Sequence, residues 1–344
     1  MDNRAVAGSE IAAVRLAEEF VRRGMRVVVV APCKGSEGVY SGIHFLDSSD
    51  FPPFAAANSI DVFIGLRYVN LFDYPMRARK KLFWLTDVHA LGTQFRVNDV
   101  MPRLYNELDG IVCQSSSHVE SVLNRHRISR EKITVIGLGV DASRFDVAVE
   151  KQPKRFVFAS CPDRGLDTVI DLFPFIRRKF PDASLHVFYG FELWDHMIRG
   201  HGNEELKPAR DRLSARCEQP GVFVHGRVGQ REIALEFLKS DIWFYPTRFV
   251  ETYCITALEA QMGGAVCVCS DLGALQTTVA DRGILLPGDA YSADYRRYAL
   301  DQVFAILEDT ERRRRLTEKA RDWAIRQTWE QCANAWMELF SPIV

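Results

Sequence analysis

The stretch Phe244-Tyr-Pro-Thr-Arg-Phe-Val-Glu251-Thr-Tyr-Cys-Ile-Thr-Ala-Leu-Glu259 reads as a strand ending near Tyr245, a loop, and a helix beginning near Tyr253. A helix start leaves backbone N–H groups unpaired and carries partial positive charge, so it holds phosphate. Two glutamates bracket this start, Glu251 in the loop and Glu259 about one to two turns into the helix. Amides near Tyr253–Ile255 would grip a diphosphate. Glu251 would reach a sugar hydroxyl and Glu259 a ribose diol, because a carboxylate accepts from two hydroxyls at once. A plainer reading fits the same residues: Thr256-x-x-Glu259 matches a capping box, and Glu251 favours the helix dipole. On physics alone the two stand level.

Outward from this segment, apolar strands alternate with amphipathic helices. Val27–Ala31, Ile60–Leu66, Lys81–Leu85 and Gly110–Gln114 read as strands, and residues 10–23 as a helix closed by Gly24. The pattern resumes at Phe156–Ala159, Leu185–Tyr189, Val222–His225, Ile242–Tyr245, Ala265–Cys269 and Ile284–Leu286. Such alternation predicts an α/β fold with parallel sheets and helices on both faces. The 344 residues exceed one ordinary core and suit two domains. Polar Asp146–Lys154 reads as the linker, giving domains at 1–150 and 151–328, with Trp329–Phe340 as a last helix after a helical stretch at Ala293–Gln327. A doubly wound domain opens with a strand before its glycine turn. Here the turn comes at Gly8, so the first strand is missing: the expectation is a truncated piece, or a sheet one strand short.

A formal net charge of −1 gives no global field that would recruit nucleic acid. The eight cysteines form no C-x-x-C pair, and most sit in apolar runs, so a reducing, cytoplasmic setting and no structural zinc are expected. No apolar run approaches a membrane span. The basic runs Arg77–Lys81 and Arg312–Arg315 read as solvated loop and helix faces, with peripheral contact to an anionic lipid as the minority reading. No Asp-x-Asp pair follows a strand, so no metal or other cofactor is expected.

Three further groups carry chemistry. Phe156-Val-Phe-Ala-Ser160-Cys-Pro-Asp-Arg164-Gly-Leu-Asp runs from a strand into a loop presenting one arginine, whose guanidinium forks onto phosphate oxygens; an ion pair with Asp163 or Asp167 is the plainer reading. Ala7-Gly8-Ser-Glu10 puts a glycine at a helix head, where a ligand can approach the backbone. His89 sits just past a strand end, where open α/β sheets place ligands.

These segments, with Val135-Ile-Gly-Leu-Gly-Val-Asp141 and Val224-His-Gly-Arg-Val228, resemble retaining glycosyltransferase family 4 in order and spacing over nearly the whole chain. The resemblance implies the GT-B fold, two Rossmann-like domains facing a central cleft, with the final helix crossing back to the first domain. It implies a nucleotide-sugar donor, UDP- or GDP-linked, and a glycan, lipid-linked or small-molecule acceptor. Carried over, Arg164 would bind the diphosphate, with Ser160 on its loop. Glu259 would take the ribose, Glu251 the transferred sugar, and backbone at Thr252, Tyr253, Cys254 and Ile255 the phosphates. Gly8 would approach the diphosphate from the first domain, and His89 would lie near the reacting sugar. The base would stack near Gly190, Arg227 and Val228. The family usually has a lysine shortly after the arginine; Val169 and Ile170 stand there, leaving Arg248 or Arg227 as substitutes. Other readings are a GT-B-shaped epimerase or phosphorylase, and a non-catalytic nucleotide-sugar module or scaffold in a larger polypeptide or complex.

Overall fold

The computed structural model describes residues 8–92 and 97–341, side chains at 97–100 and 201 excepted. The chain divides into two compact units. Of the described residues, one holds Val140–Val250 with Cys254–Gln327; the other holds those from Gly8 to Gly139, Glu251–Tyr253, and those from Thr328 on. The division falls at Gly139/Val140, before the 150/151 boundary expected from composition. Gln152, inside the expected linker, already belongs to a strand.

The C-terminal unit is one parallel sheet of β8 (Gln152–Ala159), β9 (Ser184–Phe188), β10 (Val222–Gly226), β11 (Ser240–Tyr245), β12 (Val266–Ser270) and β13 (Ile284–Leu286). Its order is β10-β9-β8-β11-β12-β13. Every residue of β11 and β12 is buried, as expected of strands covered on both faces. Phe156, Phe158, Trp243, Phe244 and Tyr245 fill the sheet's faces. The helical stretch Ala293–Gln327 holds two helices, Ala293–Glu308 and Thr310–Ala324. Asp309 makes the break: its carboxylate accepts from the Arg312 amide at 2.8 Å and caps the second helix.

The N-terminal unit carries two sheets. One contains β1 (Val28–Ala31), β2 (Gly38–Tyr40) and β3 (Ile43–Asp47), in the order β1-β3-β2. β1 runs parallel to β3, but β2 runs antiparallel to it, a hairpin absent from the all-parallel expectation. The other contains β4 (Ser59–Leu66), β5 (Arg77–Trp84), β6 (Gly110–Cys113) and β7 (Ile133–Val135), all parallel and in sequence order. β1 and β4 each end a sheet. All four residues of β1 are only half-buried, although the run is valine-rich. The expected gap before Gly8 concerns residues 1–7, which lie outside the described residues, as does Ala7 of the glycine turn. Among the described apolar side chains of this unit, a small cluster gathers around Val14, Ala17 and Ile43 and a larger one around Phe83, Met101 and Ile111.

The helix Gly8–Arg22 ends at Gly24, whose φ of 84° lets the Gly24 and Met25 amides reach back to the Val21 and Phe20 carbonyls. The helix Trp329–Phe340 packs on it, with Phe340 5.1 Å from Phe20, and Trp336 meets Trp84 of β5 at 5.1 Å. Arg77–Lys81 is the first half of β5, not a loop: strand pairing fixes it, and the Lys80 Nζ donates to the Ser341 carbonyl at 3.0 Å. In the other run, Arg314 pairs with Glu311 and Glu318 along an exposed helix face.

Candidate functional site

In the C-terminal unit, the chain leaves β8 through half-buried Ser160 and makes a short turn at Pro162–Arg164. Gly165 follows with φ of 106°, and a Cβ there would stand 2.4 Å from the Pro246 carbonyl oxygen. Only glycine lets this turn close onto the segment leaving β11, the neighbouring strand. That closure places the Arg164 guanidinium 3.6 Å from the ring centroid of Phe249, a cation–π contact. Two constellations far apart in sequence therefore meet at the C-terminal ends of adjacent parallel strands, where open α/β sheets bind ligands.

The helix after this loop starts at Ile255, later than the expected Tyr253, and ends at Met262. Its N-cap is Cys254, held left-handed at φ 73° and giving no side-chain cap. The Thr256–Glu259 capping box does not form, because Thr256 already lies inside the first turn. The first-turn amides therefore depend on groups other than a capping side chain. Glu259 keeps a partly open surface, yet burial pushes its carboxyl from an ordinary 4.5 to about 8.

At the ends of β9 and β10, Gly190 takes φ 59°, and a Cβ there would lie 2.9 Å from the Gly226 Cα. The Tyr189 amide donates to the Gly226 carbonyl at 2.8 Å. The Arg227 guanidinium sits 4.6 Å from the Tyr189 ring, and its backbone N–H donates to Glu192 Oε1 at 3.2 Å. Half-buried Val228 follows. Glu192 is a fixing residue that the sequence reading missed. Val169 and Ile170 are packed into the core, so a lysine at either position would bury its amine. Arg248 is committed to Asp289 at 3.1 Å and lies over Tyr291.

The remaining candidates belong to the N-terminal unit. Gly8 is exposed at the head of its helix. Glu251–Tyr253 groups with this unit, and Glu251 is buried. A Cβ on Gly137 would meet the Tyr253 ring at 2.7 Å, and one on Gly139 would meet the Trp329 backbone nitrogen at 2.3 Å. Both glycines of Gly137-Leu-Gly139 thus serve packing. The Thr252 Oγ1 lies 2.7 Å from Gln114 Oε1 and 3.0 Å from the Thr86 carbonyl oxygen.

His89 is half-buried in the loop after β5, and its neighbours are pinned. Arg67 Nε donates to Asp87 Oδ2 at 2.7 Å, and Arg67 Nη1 reaches Ser9 Oγ at 3.3 Å. His118 Nδ1 accepts from the Gln114 amide at 3.1 Å, so its Nε2 carries the proton and donates to the Asp87 carbonyl at 2.7 Å. His126 Nε2 accepts from the Ala90 amide at 2.9 Å. Burial pushes both histidines down to about 4. Both clamping histidines went unread in the sequence, where scattered histidines carry no signal.

Among the described residues no group of three or more histidine, cysteine or acidic side chains could hold a metal ion, and the cysteines are free. No helix among them is long and apolar enough to cross a membrane.

Comparison with known proteins places this geometry. The structure matches sucrose-phosphate synthase from Thermosynechococcus elongatus with a TM-score of 0.79, over 98% of this chain and 94% of that one, at 13% identity. A glycosyltransferase from Rickettsia africae matches with a TM-score of 0.75, over 97% and 94% of the two chains, at 13% identity. The fold is GT-B, with parallel sheets in two domains. A phosphatidyl-myo-inositol mannosyltransferase of Mycobacterium tuberculosis is 27% identical over 217 residues, 60% of this chain and 53% of that protein. The chain thus spans about half the length of the curated relatives it matches. The family model for glycosyl transferases group 1 matches residues 141–323, more than half of the sequence. The chain belongs to the glycosyl transferases group 1 family.

Proposed function

We propose that the protein is a retaining, metal-independent glycosyltransferase that moves a hexosyl or deoxyhexosyl group from a UDP- or GDP-linked donor to a glycan, lipid-linked or small-molecule acceptor. The reading rests on one observation above all: Gly165 closes the β8 turn onto the β11 exit and sets Arg164 against Phe249, on the segment leading to the helix that starts at Ile255. A fixed guanidinium and first-turn amides stabilise negative charge without reorganising as it develops.

In the C-terminal unit, Arg164 and the amides of Cys254 and Ile255 take the diphosphate, Glu259 the ribose diol, and Gly190, Arg227 and Val228 the base. Ser160 lines the Arg164 turn. In the N-terminal unit, Glu251 takes the transferred sugar, the backbone at Thr252 and Tyr253 turns towards the phosphates, Gly8 admits the ligand to the backbone, and His89 serves the reacting carbon. The bond from the anomeric carbon to the diphosphate oxygen breaks, leaving an oxocarbenium-like centre. The acceptor oxygen bonds to the same face, and its proton passes to the departing phosphate oxygen.

The test is product analysis with a labelled donor and an acceptor panel, for the wild type and for Arg164→Ala. The account expects labelled sugar on an acceptor and a fall in kcat/KM of about a hundredfold or more in the variant. An isomerised donor or a sugar phosphate would assign an epimerase or phosphorylase instead. Donor binding with no nucleotide released would assign a non-catalytic module.

A further inference from the structure

A hydroxyl on the short segment that carries Glu251 reaches the loop that carries His89. Thr252 Oγ1 is 3.0 Å from the Thr86 carbonyl oxygen and 2.7 Å from Gln114 Oε1. Thr86, Gln114 and Glu251–Tyr253 all belong to the N-terminal unit. A hydroxyl has a single hydrogen, so the two acceptors share it; with the Gln114 amide turned to present Nε2, both contacts become full hydrogen bonds. Three residues beyond Thr86 stands His89, and the rest of that loop is held independently by His118 at the Asp87 carbonyl, Arg67 at the Asp87 carboxylate and His126 at the Ala90 amide. Thr86 joins the loop to the Glu251 segment.

We infer that Thr252 is a positioning residue: its hydroxyl, backed by Gln114, fixes Glu251 and the His89 loop in one relative arrangement. The inference rests on the proposed sugar-transfer role for its catalytic consequence, but its positional content stands on the hydrogen bonds alone. A hydroxyl suits the task because valine has the same shape and no donor. Losing the donor leaves the Thr86 carbonyl without this partner and lets the two segments move by the fraction of an ångström that costs rate rather than affinity.

The experiment uses the full chain as Thr252→Val, Thr252→Ser, Gln114→Leu and the Thr252→Val/Gln114→Leu double variant. Amide hydrogen exchange of 85–90 is compared with that of 266–270, alongside melting temperature and steady-state kinetics with the donor the wild type turns over. The expected result is roughly tenfold faster exchange at 85–90 in Thr252→Val, with 266–270 unchanged and Thr252→Ser close to wild type. Expected kcat falls about ten- to a hundredfold in Thr252→Val with donor KM within about threefold, and the double variant is no worse than Thr252→Val. Unchanged exchange at 85–90 in Thr252→Val, failure of serine to restore it, or losses that multiply in the double variant would overturn the inference. The expected exchange pattern in Thr252→Val, with a wild type that transfers no sugar, would uphold the positional claim and remove the proposed function instead.

Discussion

Replacing Glu259 with glutamine should flatten a pH dependence that the proposed site builds into donor binding. Burial raises the Glu259 carboxyl from 4.5 to about 8, so in the unliganded protein it is mostly protonated at neutral pH. A ribose diol donating two hydrogen bonds favours the ionised form, so donor binding must expel that proton. Linkage then makes affinity rise by up to about tenfold per pH unit below 8 and level off above it. Between pH 6 and 8 the change amounts to roughly fiftyfold in Kd, or about 2.3 kcal/mol. Isothermal titration with a nucleotide-diphosphate sugar reads this directly, because its diphosphate bears no proton that titrates in the range. Titration in buffers of different ionisation enthalpy should show close to one proton released near neutrality. Glu259→Gln should bind more weakly at pH 8 and show no slope. The same shift has a consequence for stability with a definite sign. Between pH 4.5 and about 8 the folded chain holds a proton that the unfolded chain has lost, so stability falls as pH rises through that window. A wild-type Kd that is flat from pH 6 to 8, or a slope that survives in Glu259→Gln, would refute the reasoning.

Gly165→Ala should cost about 1–3 kcal/mol in urea unfolding, because the residue sits at φ 106° and the new Cβ would stand 2.4 Å from the Pro246 oxygen; donor affinity should fall with it as Arg164 shifts. Three buried histidines, His118, His126 and His186, are held near 4 by burial, below the ordinary 6.5. The unfolded chain takes up these protons first, so stability is full above about 6.5 and drains away as pH falls towards 4. Acid unfolding followed by circular dichroism should show this loss, and His186→Phe should reduce it.

The strands legible in the sequence are the β-branched and aromatic runs: Ile242–Tyr245 is a buried parallel strand, while Val222–His225, equally apolar in composition, is a parallel strand at the sheet edge with Phe223 and Val224 exposed. The hairpin of β2 and β3 was missed because its strands are short and its outer one is exposed. Its signal is the turn Ser41-Gly42, where both residues take positive φ, the geometry that a two-residue hairpin loop requires. β7 has three residues, too few for any periodicity. The break at Asp309 was readable in principle as an acidic cap before Thr310 and Glu311, but continuous helical spacing on either side masks it. In the candidate site, the sequence marks the residue types, Arg164, Glu251 and Glu259, while their support comes from contacts between distant segments. Gly165 against Pro246, Tyr253 against Gly137, and Thr252 between Thr86 and Gln114 join positions that no local pattern links. The delayed helix start has the same origin. Tyr253 packs into the N-terminal unit, and Cys254 turns left-handed before the helix begins.

A structure of the protein with an intact nucleotide-diphosphate sugar bound tests the central claim most directly. The account predicts the diphosphate within hydrogen-bonding distance of the Arg164 guanidinium and the backbone amides of Cys254 and Ile255, with Glu259 on the ribose. A diphosphate bound elsewhere in the chain, with Arg164 still stacked on Phe249 and making no phosphate contact, would contradict it.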